Sequence, residues 1–101
     1  MKNVWTTKKT AQLAQVLCEI SDLKTMQNFL RDVMTEKEIV EISARLEAAK
    51  MLSGGEKYEK ITSVTKLSSR TVARISEWLQ NGCSGYKEAI SLINQHHSIT
   101  S

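Results

Sequence analysis

Proline is absent from this chain, and glycine occurs only four times. Proline locks φ and removes a backbone donor, and glycine loosens the chain, so few points here force it out of regular structure. Together with the apolar spacing described below, this predicts an all-helical protein. Cysteine is scarce too: Cys18 and Cys83 stand alone, with no CxxC and no paired spacing. They read as reduced thiols of a cytosolic protein, of the kind that packs as a small buried hydrophobe. No apolar run reaches the roughly 18 residues of a membrane span. Residues 1–10 are basic but lack the apolar run of a signal peptide behind them. The expected location is the cytoplasm, with no membrane partner. No nucleophile–base pair, metal cluster or phosphate loop stands out, which argues against an enzyme. His96 and His97 are adjacent but have no second ligand pair at metal spacing, so residues 96–101 read as a loose tail and not a metal site. No internal repeat or low-complexity segment is present.

A length of 101 residues predicts one domain. A chain this short buries a modest core, and oligomerisation would add to it. Its 41% hydrophobic content excludes general disorder. The formal net charge is +3 and the pI about 9.0, a mildly basic balance that suits a polyanion without requiring one.

The stretch ITSVTKLSSRTVARI, residues 61–75, organises the rest. Ile61 and Val64 are apolar at i and i+3, the spacing of a buried helix face. Leu67 then sits alone among polar residues, where the elbow of a helix-turn-helix needs one apolar plug. Ser68 can cap a second helix. Val72, Ile75 and Leu79 follow on a single face. The opposite face carries Ser69, Arg70, Ala73 and Arg74, short or cationic side chains suited to the major groove of DNA. The order resembles the bacterial helix-turn-helix pattern with one departure: Lys66 stands where that pattern usually has Gly, at a turn position that often needs positive φ. A Lys there costs about 1 kcal/mol relative to Gly. A plain helical hairpin with capped ends is the structural alternative.

Taken in order, the first helix spans about Thr7 to Ile20. Leu13, Ala14, Val16, Leu17, Cys18 and Ile20 make it apolar on several sides, so it is expected to be buried on several sides, in a dimer interface or the core of a monomer. Ser21 or Asp22 caps a second helix to about Val33. Thr35 and Glu38 form a capping box that opens a long third helix to about Leu52. Ile39, Ile42, Leu46 and Ala49 make its stripe, and Gly54-Gly55 ends it. A fourth helix runs from about Glu56 to Val64. The fifth, from Ser68 to Gln80, is the recognition helix, ended by Asn81-Gly82. Ser84 caps a sixth that carries Tyr86, Ala89, Ile90 and Ile93 on one side.

Six helices in this order, with the motif in the fourth and fifth, resemble the Trp repressor family, and within it most the Trp-repressor-like branch of YerC/YecD type. Thr35-x-x-Glu38, Arg45, Gly55-Glu56, Ile61, Thr71 and Arg74 carry the resemblance, which covers about Met34 to Gln80 well and the first two helices by pattern. It implies an interlaced homodimer that binds operator DNA, with the helix-turn-helix at about residues 56–80 and dimerisation helices at about 7–52 of one domain. It also implies L-tryptophan as corepressor, held between the third helix and the recognition helix. The matching positions here are Met34, Thr35, Arg45, Thr71 and Arg74. Two departures argue against that ligand. Ile75 replaces the family's Gly where a flat ring would slot in, and overpacking of that size typically costs about 1–3 kcal/mol. Trp78 replaces a Ser that helps hold the amino group. The expectation is therefore no cofactor, with another small anionic effector as the alternative.

The resulting reading is a homodimeric transcription regulator, a repressor, on a palindromic operator in double-stranded DNA. Ser69, Arg70 and Ala73 would face base edges, and Lys60, Thr62, Lys66 and Arg74 would position phosphates. Local ion pairs are the alternatives for two arginines, Glu77 for Arg74 and Glu41 for Arg45. Arg70 has Arg74 at i+4, a repulsion that a facing anion would relieve. The rival function is a protein-interaction module whose helix-turn-helix no longer reads DNA.

Overall fold

A computed structural model describes the backbone of residues 3–100 and the side chains of residues 3–96. Among the described residues there are six α-helices and no strand: α1 (Lys8–Glu19), α2 (Leu23–Val33), α3 (Glu36–Ser53), α4 (Tyr58–Thr65), α5 (Ser69–Asn81) and α6 (Gly85–Thr100). A single 3-10 turn, Val4–Thr6, precedes them. The protein is all-α. By contact it divides within α3, into a first unit ending at Ile39 and a second beginning at Val40.

The starts of these helices follow from local chemistry. A helix leaves its first N–H groups without intrahelical partners, and a short polar side chain can satisfy them. Thr7 caps α1, accepting the Thr10 N–H at 3.2 Å. Asp22, not Ser21, caps α2, accepting the Thr25 N–H at 2.9 Å. The capping box of α3 is complete: Glu38 donates its N–H to the Thr35 hydroxyl at 3.1 Å, and Thr35 donates its N–H to the Glu38 carboxylate at 2.8 Å. At the far end of α3, Gly55 takes φ +83°. Its N–H reaches the Leu52 carbonyl and the Glu56 N–H the Met51 carbonyl, both at 3.0 Å. This Schellman turn needs a left-handed residue, and glycine adopts that conformation without a Cβ penalty.

The first unit has an unusual property for a folded segment: neither α1 nor α2 contains a buried residue. Leu13, Leu23 and Val33 are exposed. Trp5 lies on the surface, and so does Cys18 on α1.

The second unit has a core. Ala48 and Ala49 from α3, Ile61 from α4, Val72 and Ile75 from α5 and Ile90 from α6 form one buried cluster. Met51, Leu52, Leu67, Leu79 and Tyr86 pack around it. Burying each of the large aliphatic side chains stabilises the unit by about 1.5–3 kcal/mol. The two alanines are the α3 contribution, and their small size lets neighbouring side chains approach the helix backbone.

Four expectations are corrected. Val64 is 56% exposed, not buried. Helix α4 turns its Ile61–Thr65 edge inward instead, so the apolar i+3 residue falls outside. Both cysteines are exposed, because Cys18 lies on a helix with no buried residue and Cys83 in the short link between α5 and α6. Residues 96–100 are not a loose tail but part of α6, which continues through Thr100, as no Gly or Pro interrupts it after Gly85. The side chains of residues 97–100, His97 among them, and the whole of Ser101 lie outside the described residues. Ser84 precedes α6 in a left-handed conformation, φ +70°, and its carbonyl accepts the Glu88 N–H at 3.0 Å.

Candidate nucleic-acid interface

The helix-turn-helix lies wholly in the second unit. Helix α4 ends at Lys66, which adopts φ +63° and ψ +12° and donates its N–H to the Thr62 carbonyl at 2.9 Å. Thr65, which the motif pattern does not mark, braces this left-handed residue. The Thr65 hydroxyl donates to the Ile61 carbonyl at 2.7 Å and accepts the Leu67 N–H at 3.3 Å, bracketing Lys66 from both sides. The available signal was a hydroxyl side chain directly before the turn, since Thr readily bonds the carbonyl four residues back. Leu67 is half-buried against the core, as an elbow plug should be.

The recognition helix then starts at a well-made cap. The Ser68 hydroxyl accepts the Thr71 N–H at 3.1 Å and bonds the Thr71 hydroxyl at 3.0 Å. Val72 and Ile75 hold the inner face, fully buried. Ser69, Arg70, Ala73 and Arg74 are exposed together on the outer face. The first turn of α5 contains no acid.

The charges separate clearly. Among the described residues no ion pair reaches Lys66, Arg70, Arg74 or Arg45, so neither of the arginine pairings weighed from spacing forms. Glu77 instead accepts a hydrogen bond from the Asn81 amide at 3.2 Å. Lys60 differs from the rest: its ammonium pairs with Glu56 at 3.3 Å. The Thr62 hydroxyl is likewise engaged, donating to the Glu59 carbonyl at 3.0 Å. Lys57 sits at the start of α4 with no side-chain cap. The elbow and outer α5 face therefore present unpaired cations and small hydroxyls, a surface able to take up phosphate oxygens and base edges.

The seven positions of the candidate effector pocket are distributed differently. Met34 and Thr35 belong to the first unit, whereas Arg45, Thr71, Arg74, Ile75 and Trp78 belong to the second. Thr35 and Thr71 spend their hydroxyls on caps. Met34 ends α2, its N–H on the Leu30 carbonyl at 2.9 Å and its carbonyl accepting from Arg31 at 3.3 Å. Ile75 is a fully buried member of the core cluster, and Trp78 is 44% exposed.

An all-α chain with a capped, cationic helix-turn-helix belongs to a recognisable structural class, that of helix-turn-helix proteins. The particular family follows from comparison. The family model described as "Trp repressor protein" matches residues 8–94. The chain is 32% identical over 88 residues to "Uncharacterized protein YerC" of Bacillus subtilis, covering 87% of this chain and 85% of that protein. Its fold matches a TrpR-like protein from Eubacterium eligens with a TM-score of 0.85 and 32% identity, over 92% of this chain and 96% of the other. It also matches a candidate Trp repressor from Staphylococcus aureus at TM-score 0.80 and 26% identity, over 87% and 88% of the two chains. This protein belongs to the Trp repressor family, in its YerC-like branch. No helix among the described residues is long and apolar enough to cross a membrane.

Proposed function

We propose that this protein is a homodimeric, sequence-specific DNA-binding regulator that represses transcription without tryptophan as corepressor. The observation that carries the DNA reading is the outer face of α5. There Arg70 and Arg74 stand exposed and unpaired beyond the Ser68 cap, in a helix with no acid in its first turn. Two arginines one turn apart repel in isolation, and a polyanion relieves that. Arg70, with Ser69 and Ala73, reads base edges; Lys60, Thr62, Lys66 and Arg74 hold phosphates. Ser68 fixes the start of the helix that enters the groove.

The dimer is supported by the first unit. Two helices with exposed Leu13, Leu23 and Val33 and no buried residue of their own are completed when a second copy covers them. A two-fold dimer places its recognition helices about one DNA turn apart and calls for a palindromic operator. Against tryptophan stands Ile75, whose side chain already belongs to the core.

The test is a protection experiment on genomic DNA fragments, repeated across salt concentrations and with and without added amino acids. The expected result is protection of palindromic sites that weakens steeply with salt and does not depend on tryptophan. The rival, a helical module that binds only protein, draws support from the small net charge of +3 and the internal Lys60–Glu56 pair. Absence of any salt-sensitive duplex binding would select it.

A further inference from the structure

We infer that Lys66 is a phosphate anchor held by a strained elbow, a residue for which this chain gives up fold stability to gain DNA affinity. The inference rests on the DNA reading above and adds to it a coupling between binding and stability at one position. Three observations carry it. Lys66 is not glycine, yet its backbone is left-handed at φ +63°, a conformation in which Cβ crowds the following carbonyl. The strain is contained by its neighbours, not relieved by the side chain: Thr65 bonds on either side of it, and the Lys66 N–H is tied to Thr62. Finally, the Lys66 side chain contributes nothing evident to the fold. It is exposed and, among the described residues, makes no ion pair. A residue that strains the backbone while its side chain stands exposed and without an ion pair needs another reason to be there.

The location supplies one. In a helix-turn-helix the first helix crosses the phosphate backbone while the start of the second enters the groove. Lys66 lies in the chain between those two parts, two residues before the Ser68 cap. An ammonium on a flexible stem at that crossing suits a phosphate contact, and its contribution carries no sequence information.

A second strained residue provides the control. Ser84 is the other left-handed non-glycine residue of the described chain, φ +70°, and it lies in the link before α6, outside the helix-turn-helix. The experiment compares Lys66→Gly, Lys66→Met and Ser84→Gly with the wild-type chain. Thermal unfolding is followed by circular dichroism, and binding to a fluorescently labelled random-sequence duplex is followed over a salt series. Lys66→Gly and Ser84→Gly should each raise the unfolding midpoint, by about 4–8 °C in a chain of this size. Lys66→Met keeps the strain and should melt with the wild type. Both Lys66 variants should bind the duplex several-fold more weakly at about 0.1 M salt, with the log–log salt slope reduced by about one per chain bound. Ser84→Gly should bind as the wild type does. Wild-type slopes in both Lys66 variants would overturn the anchor while leaving the DNA reading intact. An unchanged midpoint for Lys66→Gly beside a raised one for Ser84→Gly would overturn the coupling to stability. A wild-type chain with no salt-dependent duplex binding would remove the DNA reading itself, and the anchor with it.

Discussion

At a single residue, Ile75 ties the packing of the recognition helix to the choice of ligand. It is fully buried beside Ile61, Val72, Ala48, Ala49 and Ile90, so its four side-chain carbons hold the recognition helix against α3 and α4 from within. Truncation to Ala leaves a cavity, and Ile75→Ala should cost about 2–5 kcal/mol in denaturant unfolding, with little change in m-value. The same burial bears on ligands. Burying an indole ring is worth several kcal/mol at roughly 25 cal/mol per Å², and the proposed loss of tryptophan binding rests on Ile75 belonging to the core where the family has Gly. Calorimetric titration with L-tryptophan should therefore give no micromolar binding. A micromolar constant abolished by Arg74→Ala would show that the pocket survives beside Ile75. On the outer face the contrast is between Arg70, which has no ion-pair partner, and Lys60, which Glu56 already holds. Arg70→Ala should weaken binding to the preferred site by about 1–3 kcal/mol more than to a random duplex, whereas Lys60→Ala should weaken both alike. Equal losses for Arg70→Ala on the two duplexes would show that it reads no base.

Among the elements, the helix starts are the best-determined features, and two of them carry a pH signature. Asp22 is held below the usual carboxylate range by the backbone N–H and then the hydroxyl of Thr25. Glu38 is lowered in the same way by the backbone N–H and hydroxyl of Thr35. A depressed folded pKa favours the folded state above the ordinary carboxylate pKa, near about 4, and that contribution disappears as pH falls through the lowered value. Asp22→Asn with Glu38→Gln should therefore be less stable than the wild type at neutral pH and match it in strong acid. Unfolding midpoints measured from about pH 7 to about pH 2 will report this. A stability gap that persists in acid would mean that the two carboxylates act through shape and not charge. These caps were legible in the sequence because Asp22, Thr35, Glu38 and Ser68 each find a partner three residues away. Helix faces were less legible. Val64 fits the apolar i+3 pattern yet is 56% exposed, since a helix of eight residues has too few turns for periodicity to single out the inward edge.

For the whole molecule, the division within α3 sets out what remains to be completed. One unit has a core and the other has amphipathic helices without one. Light scattering after size exclusion at micromolar concentration should return about twice 11.4 kDa. A stable monomer whose helicity withstands dilution would sink the dimer.

Composition and spacing alone determined the all-helical class, the six helices, the caps at Asp22, Thr35 and Ser68 and the position of the helix-turn-helix, because each depends on contacts within about four residues of chain. The left-handed turn at Lys66 was suggested by its place in the motif. That Thr65 braces it was not, for the brace exists only once α4 has ended and Leu67 has turned into the core. Which cations stay unpaired was equally out of reach of spacing: Glu56–Lys60 and Glu41–Arg45 have the same i,i+4 form, and only the first pair closes. Only the tertiary structure decided which side of α5 is covered: Val72 and Ile75 join a core built with residues of α3, α4 and α6, distant in sequence, and Arg70 and Arg74 are left facing outward.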